Sequence, residues 1–388
     1  MTAPLSARGS SDECDLAVQL AHGLVSFGES FRRGHSLHKH RRLLVFEQLK
    51  VEKVVYTNVS DRVRVSPSTQ AVGRVTVRAW QFTAVGESLQ MTTLPDPEPG
   101  PGEIVVAIKA SGLCHSDVSF MDGTITALLG HLPIVLGHEI AGEVTAVGSG
   151  VGDFTVGDRV GVPAVTDGPG TAINGGFAEL VRLPATLAVR IPDEVSYEQA
   201  APATDAGRTA YRAIHTAGHV TKDQNVGIIG FGGIGSLGAQ IALAAGAAIY
   251  VADTNSAALD AARALGASGV AADIRDFEAQ NLDVIVDFAG FGTTTASAID
   301  AVRPSGRVVQ IGLAVEMATI SAQKMVLKDL TYVGASNGEQ HEFVGALNLL
   351  ADGMIRADTI PITFDQIPDS LRRLQEGGVR GRFVVLLE

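Results

Sequence analysis

Two rhythms of apolar and polar positions divide the chain. Between residues 76 and 211 the apolar residues come in short runs cut by glycine and proline. A strand pattern at 77–82 is followed by a turn-rich connection at 95–102, a strand at 103–109 and a Gly- and Val-rich stretch at 142–162. Short apolar runs bounded by turn residues predict β-structure of the barrel type. From about residue 212 the rhythm changes. Apolar runs at 226–229, 248–252, 284–287 and 307–311 alternate with Ala-rich stretches of helical length at 234–246, 257–265 and 294–302. Strands alternating with helices at this spacing predict an α/β fold with a parallel, doubly wound sheet. The end of the chain, 377–387, returns to strand character and is expected to rejoin the first unit. The expected division is therefore 76–211 with 337–388 as a β-rich unit, and 212–336 as the α/β unit.

One uncharged stretch, 226–252, is long enough to cross a bilayer. Its seven glycines, with Ser236 and Gln240, fit a buried strand, a tight turn and a buried helix better, so no membrane span is expected. The N-terminus lacks an apolar core segment and carries Asp12, Glu13 and Asp15, so a secretory signal is not expected and a cytoplasmic location is. Residues 1–75 stand apart. Their tract Arg32, Arg33, His35, His38, Lys39, His40, Arg41, Arg42 invites a metal or nucleic-acid reading. A solvated or disordered extension, or a misplaced translation start, accounts for it more simply.

Composition narrows the partners. The 388 residues, enough for two or three domains, carry 42 acidic against 30 basic side chains, a net charge of -12. That balance speaks against binding a phosphate backbone. Two cysteines exclude a disulfide framework and a four-cysteine zinc module.

The run Gly230-Phe231-Gly232-Gly233-Ile234-Gly235 is a G-x-G-x-x-G sequence, weak alone but here set between an expected strand and an expected helix. The first glycine permits the tight turn, the second lets a pyrophosphate approach the backbone, and the third lets helix pack on strand. The helix start offers free N–H groups to phosphate. Asp253 closes the next strand, 18 residues after Gly235, where a carboxylate accepts hydrogen bonds from the adenosine ribose and repels a 2′-phosphate. Thr254 and Asn255 follow, with no arginine among them. NAD is expected over NADP.

Cys114, in Gly112-Leu113-Cys114-His115-Ser116-Asp117, and His138, in Gly137-His138-Glu139, lie 24 residues apart. Beside a dinucleotide fold they read as a thiolate and an imidazole ligand of zinc. The surrounding residues carry a resemblance: Gly137 to Val144, then Val147-Gly148, Gly150-Val151, Phe154 and Gly157-Asp158-Arg159-Val160. In this order they resemble the zinc-dependent medium-chain alcohol dehydrogenases, over roughly four fifths of the chain. The resemblance implies a GroES-like catalytic domain, a Rossmann domain, and a catalytic zinc on Cys114 and His138. It places the third ligand, usually cysteine, just before a G-x-T-A-Y segment; here that position is Asp205, ahead of Gly207 to Tyr211. Aspartate keeps the charge sum of the donor set.

The same resemblance assigns the alcohol proton to Ser116 and a pyrophosphate contact to His115 and Arg382. Asp117 and Glu139 are candidates to support the ligands from behind, the first by orienting the His138 imidazole, while Glu139 is alternatively able to approach the metal when a ligand leaves. Two departures stand out. The family's structural-zinc lobe is missing from the short cysteine-free segment 161–176, so one zinc per chain is expected. Ser119 stands where many members finish a proton relay with histidine. The implied activity is NAD-dependent interconversion of an alcohol with its aldehyde or ketone, by a homodimer or homotetramer with the strand at 307–311 as a candidate interface edge. Two other readings are a zinc-independent NAD(P)H-dependent reductase of an activated C=C bond, and a non-catalytic NAD(H)-binding protein.

Overall fold

A computed structural model describes residues 76–388. The basic and His-rich tract, and the extension expected over 1–75, lie outside the described residues.

In chain order the first part comprises β1 (Thr76–Phe82), β2 (Gln90–Pro95), β3 (Glu103–Gly112), α1 (His115–Met121), β4 (Ile134–Val135), β5 (Glu139–Val147), β6 (Arg159–Val162), β7 (Leu180–Pro184) and β8 (Val189–Arg190). A helical passage follows: α2 (Tyr197–Pro202), a π-helical turn at Ala203–Gly207, α3 (Arg208–Tyr211) and a second π-helical turn at Arg212–Ala217. The alternating part is β9 (Asn225–Ile229), α4 (Gly235–Ala244), β10 (Ala248–Ala252), α5 (Ser256–Leu265), β11 (Gly269–Ala271), β12 (Leu282–Asp287), α6 (Thr293–Ala301), β13 (Val302–Gln310), α7 (Ala322–Leu327) and β14 (Thr331–Gly334). The chain closes with α8 (Gln340–Ala351), β15 (Thr359–Ile362), α9 (Ile367–Glu376) and β16 (Arg382–Leu386).

The alternating part forms one six-stranded parallel sheet in the order β11-β10-β9-β12-β13-β14. This is the doubly wound arrangement that the strand–helix rhythm predicts, because a parallel pair needs a crossover and the helix supplies it. Helices on both faces leave the central strands wholly buried: Val226, Ile228, Ile285 and Val286 are all at 0% exposure. The uncharged stretch 226–252 is thus β9, the glycine turn, α4 and β10. Among the described residues no helix is long and apolar enough to cross a membrane.

The β-rich part is built on a second sheet, β15-β16-β3-β5-β6-β8, with β7 also paired to β3. β16 runs antiparallel to β3, which joins the chain end to this sheet. A small third sheet, β2-β1-β4, carries the first described strand. One expectation needs correcting. The strand at 307–311 is not an edge: all but its last residue lies in β13, which is flanked by β12 and β14. The outer strand is β14, whose four residues have little apolar alternation to announce them.

Candidate metal and dinucleotide site

Cys114 is the N-cap of α1, and its position there is set by Asp117. Asp117 Oδ2 accepts the Cys114 N–H at 2.9 Å, the reach-back half of a capping box. Its Oδ1 accepts the Gly137 N–H at 3.3 Å and lies 3.2 Å from His138 Nδ1. That last contact is off the ring N–H line, an electrostatic contact and not a straight hydrogen bond. One fully buried carboxylate therefore ties the backbone of Cys114 to the ring of His138. With Nδ1 turned to Asp117, His138 Nε2 faces Asp205 Oδ2 at 3.8 Å.

Asp205 comes from the π-helical turn at Ala203–Gly207, immediately after Pro202 inside the preceding helix. Its Oδ2 is 3.4 Å from Cys114 Sγ. The three donor atoms lie within 4.8 Å of one another on three buried residues. Around a tetrahedral zinc with bonds of about 2.0–2.3 Å, neighbouring donors stand roughly 3.3–3.7 Å apart. The observed contacts are within a few tenths of an ångström of that spacing, and a thiolate–imidazole–carboxylate set suits zinc. The residues present fit the ion.

The local charges favour thiolate and carboxylate at two of the three donors. Burial pushes the Cys114 thiol up, but the Arg382 cation and the His138 contacts bring it below its usual value. Burial likewise opposes ionisation of Asp205, yet His138 and Arg382 hold it well below the usual carboxylate range. Burial depresses His138, and the stronger pull of Asp117, with Asp205 and Cys114, raises it well above an ordinary imidazole. Burial pushes Glu139 well up, against the pull of Arg382.

Arg382, at the start of β16, is the cation of this centre. Its Nη1 lies 3.2 Å from Glu139 Oε1 and donates to the Leu113 carbonyl at 3.2 Å. Its other edge faces the glycine loop: a Cβ built on Gly233 would stand 3.7 Å from Nε and Nη2. The residue expected at a pyrophosphate therefore spans the metal cluster and the loop. Ser116 Oγ is 3.7 Å from Cys114 Sγ, beside the cluster. His115 is exposed on α1, and partial desolvation followed by Arg382 lowers its pKa.

The glycine loop leaves the C-terminal end of β9. Gly230 has φ +83, closed to most side chains. Gly235 opens α4 so close to the turn that a Cβ would meet the Gly230 carbonyl at 1.9 Å, while Gly232 faces open space. Ile234 is the N-cap of α4. Asp253 Oδ2 accepts the Phe231 N–H at 2.7 Å and Oδ1 the Asn255 N–H at 2.8 Å. The carboxylate is thus fixed beside the loop, with acceptor capacity left on both oxygens.

Next to it lies a cavity of about 360 Å³, lined among others by Ile229, Thr254, Asp273, Arg275 and Thr294. The sequence did not disclose Arg275 there. It comes from the connection after β11, 22 residues beyond Asp253, and no local motif marks it.

Comparison with known proteins gives a consistent pattern. Residues 100–193 match the alcohol dehydrogenase GroES-like domain and residues 233–352 match the zinc-binding dehydrogenase domain. An alcohol dehydrogenase of Geobacillus stearothermophilus is 31% identical over 327 residues, 77% of this chain and 96% of that protein. The NADP-dependent alcohol dehydrogenase C of Mycobacterium bovis is 29% identical, covering 80% and 98%. The structure of acetophenone reductase from Geotrichum candidum in complex with NAD superposes with a TM-score of 0.73 at 26% identity, covering 81% of this chain and 98% of that one.

Proposed function

The chain belongs to the medium-chain dehydrogenase/reductase family, and from that premise we propose that it interconverts an alcohol and its aldehyde or ketone with NAD and one zinc ion. Relatives named alcohol dehydrogenase support an oxidoreductase acting on a small alcohol or carbonyl compound. The observation that carries the finer reading is the convergence of Cys114, His138 and Asp205, buried and within 4.8 Å. That convergence, together with Ser116 beside it, disfavours both the zinc-independent C=C reductase and the non-catalytic binding protein.

When bound, zinc held by Cys114 Sγ, His138 Nε2 and Asp205 supplies Lewis acidity to the substrate oxygen. The nicotinamide ring supplies the hydride acceptor. The chain's own groups do the rest. Ser116 Oγ would receive the alcohol proton, and Ser119 cannot carry it on as histidine would. Asp117 Oδ1 faces Nδ1 of His138, which leaves Nε2 to present its lone pair. Burial of the cluster excludes water from the reacting centre. Gly230, Gly232, Gly233, Ile234 and Gly235 turn backbone N–H groups toward the pyrophosphate, with Arg382 and His115 at its flank. Asp253 accepts from the ribose and supports NAD over NADP.

Self-association is part of the proposal. No residue of α7 is buried, and Leu313, Met317, Val326 and Leu327 are 76–85% exposed. Large apolar side chains left this exposed suit a second copy of the chain. A panel of primary and secondary alcohols with NAD and with NADP, on protein of measured zinc content, tests the reading. Turnover of an alcohol with NAD that disappears on chelation supports it; turnover that persists in zinc-free protein refutes the zinc.

A further inference from the structure

The cavity beside Asp253 holds a second charged pair. β10 and β11 run side by side, and the Asp253 N–H donates to the Ala271 carbonyl at 3.1 Å. The loop bearing Asp253 and Thr254 therefore lies against the one bearing Asp273 and Arg275, and Thr254, Asp273 and Arg275 line one cavity. Arg275 is the cation among the described residues of that lining, and it is engaged. Its Nε lies 3.1 Å from both Asp273 oxygens and its Nη2 2.6 Å from Oδ2, while its backbone N–H donates to Oδ1 at 3.0 Å. Ser297 Oγ adds a contact to Oδ2 at 3.4 Å. Asp300, the other carboxylate of the lining, is taken by Lys324 Nζ at 2.6 Å.

A 2′-phosphate differs from a ribose hydroxyl by its charge, and guanidinium is the side chain best shaped to receive it. An arginine on the far side of the ribose position would favour NADP if its fork were free. We propose that Asp273 is a cofactor-selectivity residue, which withholds Arg275 from a 2′-phosphate and so reinforces the preference set by Asp253. The inference rests on the dinucleotide reading above and deepens it. The pair is half exposed, and such pairs add little stability, so its consequence lies in the charge offered to the ligand and not in holding the fold.

The test is equilibrium binding. NADH and NADPH dissociation constants are measured by cofactor fluorescence for the wild type, Asp273→Asn, Arg275→Ala and the double variant. Asparagine keeps the oxygen that caps the Arg275 N–H, so the loop is retained. Asp273→Asn is expected to tighten NADPH about tenfold, the worth of one charge-assisted contact, with NADH within about twofold. The gain should vanish in the double variant. Unchanged NADPH affinity in Asp273→Asn overturns the inference. So does an equal gain in the double variant, which would show that loss of negative charge, and not release of Arg275, was responsible. Wild-type protein that binds neither nucleotide would overturn the dinucleotide reading itself, a failure visible before any variant is made.

Discussion

Asp117 reaches two of the three proposed zinc donors at once, the backbone of Cys114 through Oδ2 and the ring of His138 through Oδ1. Asp117→Ala should therefore weaken zinc about 10–100-fold and cost about 1–3 kcal/mol of stability through the lost cap and the orphaned N–H groups. Competition with a chromophoric chelator and urea unfolding measure the two effects. Zinc uptake should also depend on pH. His138 is raised well above an ordinary imidazole in the metal-free cluster, and its proton must leave before Nε2 can bind the ion. Affinity is then low while His138 is protonated and rises as pH climbs through its elevated pKa, with proton release on binding. Flat affinity from about pH 6 to about pH 9 would contradict this. At this scale the sequence was informative where a motif is local. Cys114, His138 and the glycine run were readable as they stood, and Asp205 through the resemblance. Arg275 was not, because its place beside Asp253 is set by the pairing of β10 with β11 and by nothing adjacent in the chain.

At the scale of elements, the alternating part was readable because its central strands are buried on both faces. The expected runs 226–229 and 248–252 lie within β9 and β10, and 257–265 lies within α5, which Asn255 caps and Gly266 ends at φ +102. Other elements escaped notice for definite reasons. β13 begins at Val302, upstream of the expected strand, and runs through Pro304 and Gly306 with a register shift opposite β12. α9 pairs a narrow apolar stripe with a charged face and so lacks an apolar run. The π-helical turn that presents Asp205 has no sequence signature; tertiary packing imposes it. The glycine loop gives a paired prediction. Gly235→Ala would drive a Cβ into the Gly230 carbonyl and should disrupt the loop, abolishing NADH binding and lowering the melting temperature. Gly232→Ala meets nothing in the protein, so it should fold normally and weaken only the dinucleotide. Thermal unfolding and NADH titration of both variants separate the cases, and equal melting temperatures would refute the distinction.

Across the whole molecule, the site forms where separate parts of the chain meet. Cys114 and His138 flank strands of the β-rich sheet, Asp205 lies in the helical passage, and Arg382 arrives on the last strand and reaches the glycine loop. The proposed division, 76–211 with 337–388 against 212–336, puts the metal cluster on one side of that meeting and the dinucleotide on the other. Oligomeric state is a property of this scale as well. Leu327→Glu places a charge among the exposed apolar residues of α7 and should shift a dimer or tetramer to a smaller species in light scattering after size exclusion; an unchanged mass would place the interface elsewhere.

The central claim is a zinc ion on one sulfur, one nitrogen and one carboxylate oxygen. Zinc quantification joined to X-ray absorption at the zinc edge reads it directly on the purified protein. The account predicts one zinc per chain with a single sulfur neighbour and the remaining donors nitrogen or oxygen, and loss of that signal in Cys114→Ala. Protein that takes up no zinc, or zinc with several sulfur neighbours, would contradict it.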